Sequence, residues 1–403
     1  METIKKKLNI GICCIAYNRL DSLKRLLESL EKAVYKEYSP TLLISIDKSN
    51  TDIVENFSQN YIWKYGEKKV YTHSKNMGLR KHVLECGNRI KDYDALIVLE
   101  DDITVSPFFF EYALQTIQKY QNDNRIAGIS LYNFPINYQS RLPFNPVRSE
   151  YDVFMMNCAQ SWGQIWMKNQ WESFMKWYES HNEEFNLSYL PQQLNEWPKS
   201  SWLKYHTRYC IEENKYFVYP YESLTTNNND LGTHVKKTNN YLQSTLQIYP
   251  KSTYKLPDFD KCPIVYDGFF EPQFLNNYLD IDSSNLCVNL LESKNECLFK
   301  RYLLTRKQYP FKIIKGFSLK YKPIEANIMW DIKGEDIFLY DTTQKEQNNK
   351  KKRNDRYYYH YLYGNAIENF IKFYGISEAY KTIIFKSLQK IHSSLQQKNK
   401  CHR

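Results

Sequence analysis

Residues Leu96-Ile97-Val98-Leu99-Glu100-Asp101-Asp102 form an apolar run that ends in three consecutive carboxylates. A continuous apolar run of this length is typical of a strand that is buried on both faces. Like charges this close together disfavour each other's ionisation, and a divalent cation would relieve that repulsion. Oxygen ligands suit Mg²⁺ or Mn²⁺, which keep open positions for the phosphates of a substrate. A solvated acidic turn after a strand is the alternative interpretation.

The first 130 residues alternate strand and helix patterns around this run. Between the first two apolar runs, Asp21 is placed to cap a helix whose leucines recur at helical spacing. Alternation of this kind predicts an α/β fold in which a mostly parallel sheet is flanked by helices. Apolar runs predict strands at 8–16, 41–46, 69–71, 95–99 and 126–130.

Two further features lie near the ends of predicted strands. Asp47 ends the second strand, where a carboxylate can accept hydrogen bonds from a base or a ribose. In Asn76-Met77-Gly78-Leu79-Arg80, Gly78 suits a backbone turn and Arg80 suits a phosphate. A common strand-ending Asp and a solvated Arg are the alternatives. Ligands of parallel sheets bind at the carboxyl ends of strands, so Asp47 and the Glu100 cluster are expected in one site. The chain has no GxGxxG and no Walker loop.

Composition limits the class of protein. The 403 residues are 42% hydrophobic and 25% charged, which is globular composition. The formal charge of +10 suits an anionic partner, but the densest basic run, at 350–353, has the character of a solvated loop, so no nucleic-acid partner is expected. The nine cysteines include no CxxC pair, which favours a reducing, cytoplasmic setting.

The chain is expected to comprise two regions. Residues 1–240 would form the ligand-binding and catalytic domain, and residues 241–403 a C-terminal accessory region with a helix near 364–392. No stretch approaches the roughly 20 apolar residues needed to cross a bilayer. The basic and aromatic content of the accessory region would suit peripheral contact with an anionic inner membrane. Packing against the catalytic domain is the alternative.

Several ordered motifs resemble those of GT-A fold glycosyltransferases, specifically the N-acetylglucosaminyltransferase I type and bacterial sugar transferases of polysaccharide biosynthesis. The resemblance covers roughly residues 8–237. It rests on Ile15-Ala16-Tyr17-Asn18-Arg19 with Ser22-Leu23, on Ile97 to Asp102 with Val105-Ser106-Pro107-Phe108-Phe109, on Ser161 to Trp166 with Trp171, and on Tyr219 to Asn227 with Gly232-Thr233-His234.

The resemblance implies a metal-dependent transferase that uses a nucleotide-sugar donor, with UDP as the expected nucleotide. The acceptor would be a glycan or a lipid-linked saccharide. Asp102 would bind the metal, while Glu100 and Asp101 contact the ribose or orient the metal's waters. Asp47 would lie near the uridine and Arg19 near the donor pocket. His234 would be a metal ligand or a phosphate contact, or an ordinary surface histidine.

The chain departs from the family pattern at the expected catalytic base. The matching stretch, 199–204, contains no carboxylate, and Glu196 is the nearest acid. Three explanations are possible. Glu196 acts as the base from a shifted position, another acid acts in its place, or the chain has lost normal turnover. Among the tryptophans of 162–202, Trp162 is the candidate for acceptor binding, although large aromatic residues more often fill a core.

Two other functions compete with the glycosyltransferase interpretation. A nucleotidyltransferase on a similar sheet should have a Gly-rich and basic phosphate loop after the first strand, and Asn18-Arg19-Leu20-Asp21 does not provide one. A non-catalytic nucleotide- or glycan-binding module would explain the missing acid.

Overall fold

The computed structural model describes residues 7–230, 240–347 and 355–400. Contacts between Cα atoms divide the chain into two compact units, Met1–Asn348 and Asn349–Arg403. The first unit contains every described strand. The second contains the last two described helices.

Nine strands of the first unit form one sheet in the order β11-β7-β9-β6-β8-β4-β1-β2-β3. The neighbours from β4 to β3 are parallel, while β8 is antiparallel to both β4 and β6. The predicted α/β fold with a mostly parallel sheet is confirmed. The strands are β1 (Ile10–Ala16), β2 (Thr41–Ile46), β3 (Lys68–Thr72), β4 (Ala95–Glu100), β5 (Ile103–Val105), β6 (Ile126–Ser130), β7 (Val153–Met156), β8 (Gln164–Met167), β9 (Tyr216–Pro220), β10 (Thr225–Asn227), β11 (Val265–Tyr266), β12 (Leu286–Asn289), β13 (Tyr302–Thr305), β14 (Phe311–Phe317) and β15 (Ile337–Lys345).

Helices flank this sheet, and the first of them contains the leucines whose spacing predicted a helix. Its leucines Leu23, Leu26, Leu27 and Leu30 are all buried, as their helical spacing predicts. Short helices and turns connect the remaining elements. The helices are α1 (Leu20–Glu31), α2 (Ile53–Asn60), α3 (Leu79–Asn88), α4 (Phe109–Tyr120), α5 (Lys168–His181), α6 (Gln192–Glu196), α7 (Leu203–Glu212), α8 (Leu275–Leu279), α9 (Ile324–Met329), α10 (Asp355–Tyr363) and α11 (Ala366–Lys400), the last broken at Gly375.

The register of the central strands positions the functional edge. Strands β1, β2 and β4 are buried along almost their whole length, so neither face of these strands is solvated. Ile15 pairs with Glu100 and Ala16 with Ile46, which aligns the carboxyl ends of the three strands. Beyond β4, strand β5 pairs antiparallel with β10, and this pairing brings the segment 225–230 to the same edge.

A second, four-stranded sheet in the order β12-β13-β15-β14 lies within 286–345. The strand prediction ends at residue 130, so this sheet was not predicted from the sequence. Strand β11, also from beyond residue 240, joins the edge of the nine-stranded sheet. The division into a catalytic domain at 1–240 and an accessory region at 241–403 stays a prediction about function. None of the described helices is long and apolar enough to pass through a bilayer.

Candidate functional site

A pocket of about 380 Å³ opens at the carboxyl ends of β1, β2 and β4. The loop after β1 lines it with Tyr17 and Arg19, and the loop 76–79 lines the side next to β2. Asp47, Glu100, Asp101 and Asp102 all contribute to its wall, so the structure brings together the carboxylates that the sequence predicted to share a site.

Arg19 forms the closest contacts with the carboxylate cluster. Its Nη2 donates to Asp101 Oδ1 in a short ion pair, and its Nη1 donates to Asp102 Oδ2 at 3.2 Å. Its Nε is 3.4 Å from Asp101 Oδ2. Partial burial of Arg19 opposes its charge, but the carboxylates of Asp101 and Asp102 outweigh that effect and raise the pKa of the guanidinium. The forked guanidinium geometry matches two adjacent carboxylates.

The cluster holds more negative charge than Arg19 compensates. Loss of hydration, together with the nearby carboxylates of Asp102 and Asp101, raises the pKa of Glu100 to about 8. Burial raises the pKa of Asp101 to about 6, although Arg19 acts in the opposite direction. Arg19 and the nearby side chain of Trp202 offset only part of the rise in the pKa of Glu100. Carboxyl groups with shifted pKa values are common where a protein binds a cation or a charged substrate.

Asp47 organises the neighbouring loop. Its carboxylate accepts hydrogen bonds from the backbone N–H groups of Lys48 at 2.9 Å, Met77 at 2.8 Å and Gly78 at 2.9 Å. Gly78 adopts φ +78°, a conformation that favours glycine, and its backbone starts α3. The predicted turn at Gly78 is therefore present, and Asp47 fixes it against the end of β2.

Asp102, the last of the three consecutive carboxylates, has an oxygen that is suited to a metal ion. Asp102 Oδ1 is buried and has no hydrogen-bond partner among the described residues. A buried carboxylate oxygen without a partner is costly, and a cation would satisfy it. Within the described ranges, no group of three His, Cys, Asp or Glu side chains is arranged to hold a metal. Mg²⁺ and Mn²⁺ commonly use one or two carboxylates and take their other ligands from water and phosphate, so the residues present fit such an ion.

Four of the predicted site residues lie elsewhere or outside the described part. Arg80 stacks over the ring of Tyr205 and is not among the pocket-lining residues. Trp162 is half-buried and packs edge-on against Tyr132, with ring centroids 4.9 Å apart. Glu196 is exposed and accepts a hydrogen bond from Gln192 at 2.7 Å. His234 falls in 231–239, outside the described residues.

Other pocket residues were not predicted to be functional. Ser200 lines the pocket, and it lies in the stretch where related enzymes would carry an acid. His82 also lines the pocket and hydrogen-bonds to Ser45 at 2.8 Å beneath the end of β2. Asp230, which is not among the lining residues, accepts a hydrogen bond from Ser22 at 2.6 Å and forms an ion pair with Arg25. Of Ser200, His82 and Asp230, only Ser200 lies in a stretch that the family resemblance singles out, residues 199–204.

Residues 12–174 match the family described as Glycosyl transferase family 2. No curated protein matches the sequence. The fold and the family match identify this part of the chain as a glycosyltransferase domain, which confirms the resemblance noted in the sequence.

Solved structures that contain a nucleotide or a nucleotide-sugar also align with part of the chain. S. aureus TarS 1-349 in complex with UDP is 14% identical over 54% of this chain and 60% of its own, with a TM-score of 0.37. GalNAc-T7 with UDP, GalNAc and Mn²⁺ is 14% identical over 54% of this chain and 43% of its own, with a TM-score of 0.39. The mannosyltransferase PcManGT from Pyrobaculum calidifontis, in complex with GDP-Man and Mn²⁺, is 9% identical over 54% of this chain and 55% of its own, with a TM-score of 0.34.

Proposed function

We propose that this chain, whose residues 12–174 form a glycosyltransferase family 2 domain, is a metal-dependent glycosyltransferase. The donor would be a nucleoside-diphosphate sugar, with UDP as the expected nucleotide, and the ion Mn²⁺ or Mg²⁺. The acceptor would be a saccharide, either free or lipid-linked, of a bacterial polysaccharide pathway. The observation that carries the proposal is the pocket at the carboxyl ends of β1, β2 and β4, which joins Asp47, Arg19 and the three consecutive carboxylates.

In this proposal, each residue has a defined task. A bound divalent ion would supply positive charge to the departing diphosphate. Asp102 would hold that ion through its unpartnered oxygen, and Glu100 and Asp101 would contact the ribose or the waters of the ion. Asp47 supports the loop that borders the nucleoside. We keep Arg80 as a donor contact and His234 as a metal or phosphate contact, both as proposals.

Transfer of the sugar also requires activation of the acceptor. A base must take a proton from the acceptor hydroxyl, and an ionised carboxylate within hydrogen-bonding reach is suited to this. Glu196 is the candidate from the sequence, with Trp162 on the acceptor side. Ser200 lines the pocket where the family pattern leads us to expect an acid. A serine in place of an acid at this position favours a second candidate function, a nucleotide- or glycan-binding module without transfer activity.

Hydrolysis of a panel of nucleotide-sugars distinguishes these functions. We expect the protein to release the nucleoside diphosphate slowly from at least one UDP-sugar in the presence of Mn²⁺, because water can replace the acceptor. Chelation of the metal should stop this release. If UDP binds but no donor in the panel is hydrolysed under any condition, the binding-module function is correct and the transferase function is not.

We also propose that the protein is cytoplasmic and contacts the inner membrane through its second unit. The described cysteines are free, which supports a reducing compartment. Helix α11 presents Phe373 and Ile376, which are 79% and 76% exposed, on a helix that also carries Lys372 and Lys381. Phe373 and Lys372 lie before the break at Gly375, and Ile376 and Lys381 lie after it, so each part of α11 carries an exposed apolar and a basic residue. Such a combination suits the surface of an anionic bilayer.

Flotation with vesicles that contain an anionic phospholipid tests this contact. We expect the full chain to float and the F373E/I376E double variant to stay in the dense fraction, because both substitutions place a charge at the apolar surface. A chain truncated after residue 347, which keeps the whole of β15, should behave like the double variant. Equal flotation of all three proteins would exclude α11 as the membrane contact.

A further inference from the structure

Arg19 forms its contacts with the same carboxylates that are proposed to hold a metal ion. Its side-chain hydrogen bonds in the described structure go to Asp101 and Asp102, and it occupies one of the two oxygens of Asp102. The other Asp102 oxygen is buried without a partner. A single guanidinium therefore neutralises part of a cluster that includes Glu100, and one oxygen remains for a second cation.

The position of Arg19 follows from the strand register. Because β1 and β4 are parallel neighbours in which Ile15 pairs with Glu100, the loop after β1 passes directly beside the end of β4. Arg19 immediately precedes α1, so its backbone is fixed there by the hydrogen bond from Leu23 N to Arg19 O at 3.1 Å. Its side chain lines the pocket and is 26% exposed. The backbone is thus anchored, while the guanidinium borders open space.

A divalent ion at Asp102 would compete with the guanidinium of Arg19 for these carboxylate oxygens. An ion bound to Asp102 would repel the positive charge of Arg19 at close range. The position of the guanidinium between Asp101 and Asp102 would then be less favourable. A diphosphate in the same pocket offers a negative partner, and the planar fork of arginine fits phosphate as well as carboxylate.

We propose that Arg19 is a built-in counter-cation that neutralises the carboxylates before a metal ion binds and then moves to the diphosphate of the donor. This inference rests on the proposed function and adds to it an order of events at the site. Arg19 would oppose binding of the metal alone and favour binding of the nucleotide once the metal is present. A purely structural arginine would have a different effect, because its loss would weaken both metal and nucleotide binding.

Substitution of Arg19 tests this exchange with metal-binding measurements that do not depend on turnover. Mn²⁺ binding is followed by the loss of the free-ion signal in electron paramagnetic resonance, and UDP binding at saturating Mn²⁺ by calorimetry. For Arg19→Met we expect Mn²⁺ alone to bind about tenfold more tightly. The loss of one charge-assisted contact changes an affinity by a factor of about ten, and here the contact that is lost competes with the ion. For the same variant we expect UDP to bind about tenfold more weakly. Arg19→Lys, which keeps the charge but not the fork, should fall between the wild type and Arg19→Met.

Arg125→Met is the matched control, because Arg125 also joins two carboxylates, those of Asp123 and Asp260, and lies ahead of β6 away from the pocket. It should leave both affinities unchanged. If Arg19→Met binds Mn²⁺ alone no more tightly than the wild type while Asp102→Ala abolishes metal binding, the exchange is wrong and the proposed metal site stands. If Asp102→Ala leaves metal binding unchanged, the metal site is wrong and the exchange is overturned with it.

Discussion

Replacing Asp102 with alanine is expected to abolish the Mn²⁺ dependence of UDP binding and to lower donor hydrolysis by on the order of a thousandfold. Asp102 Oδ1 is the buried oxygen without a partner, so it is the atom best placed to hold an ion. Without that ion, the departing diphosphate lacks the divalent charge at the end of β4, and Arg19 alone supplies a single positive charge. Hydrolysis of the best donor from the nucleotide-sugar panel measures the rate, and calorimetry measures the binding.

Asp260→Ala provides the control for this substitution. Asp260 is 78% exposed, pairs with Arg125 and lies outside the pocket, so its loss should leave donor hydrolysis within a factor of about two. Thermal unfolding of both variants shows that the protein is folded. Undiminished hydrolysis by folded Asp102→Ala would contradict the assigned role.

Replacing Asp47 with alanine is expected to weaken UDP binding about a hundredfold and to lower the free energy of unfolding by about 3 kcal/mol, because it leaves the backbone donors of Lys48, Met77 and Gly78 without their acceptor. The turn at Gly78 would then lose its attachment to β2, and with it one wall of the pocket. Calorimetry with UDP and urea denaturation measure the two effects.

Asp52→Ala is the matched surface control. Asp52 forms an ion pair with Lys48 at 2.8 Å and its side chain is 61% exposed, so its loss should change the free energy of unfolding by less than about 0.5 kcal/mol. Asp47→Asn keeps one acceptor oxygen and should fall between the wild type and Asp47→Ala. If Asp47→Ala binds UDP as the wild type does, the loop that it anchors does not contact the nucleotide.

The central sheet was predictable because its signals are local. Strands β1, β2, β4 and β6 are apolar runs long enough to be recognised, and β2 and β6 begin and end at the predicted residues. The leucines of α1 show their spacing directly in the sequence. Parallel strands end at one edge, so the meeting of Asp47 with the Glu100 cluster also followed from the pattern.

The rest depends on contacts that a linear pattern does not show. The pairing of Arg19 with Asp101 and Asp102 spans more than 80 residues and arises from the β1–β4 register. Arg80 lies in a motif that suits phosphate, yet its guanidinium lies over the ring of Tyr205. Stacking on an aromatic ring is favourable for a guanidinium and competes with a position in solvent. The four-stranded sheet within 286–345 is built of mostly short strands, which resemble loop sequence.

The central claim is that the carboxylates at the end of β4 hold a divalent ion against the diphosphate of a nucleotide. Calorimetric titration of the wild-type chain with UDP, first with a chelator and then with Mn²⁺, tests it most directly. We predict that UDP binds measurably tighter with Mn²⁺ and that Asp102→Ala removes the difference. Equal affinity of the wild type for UDP in both conditions would contradict the claim.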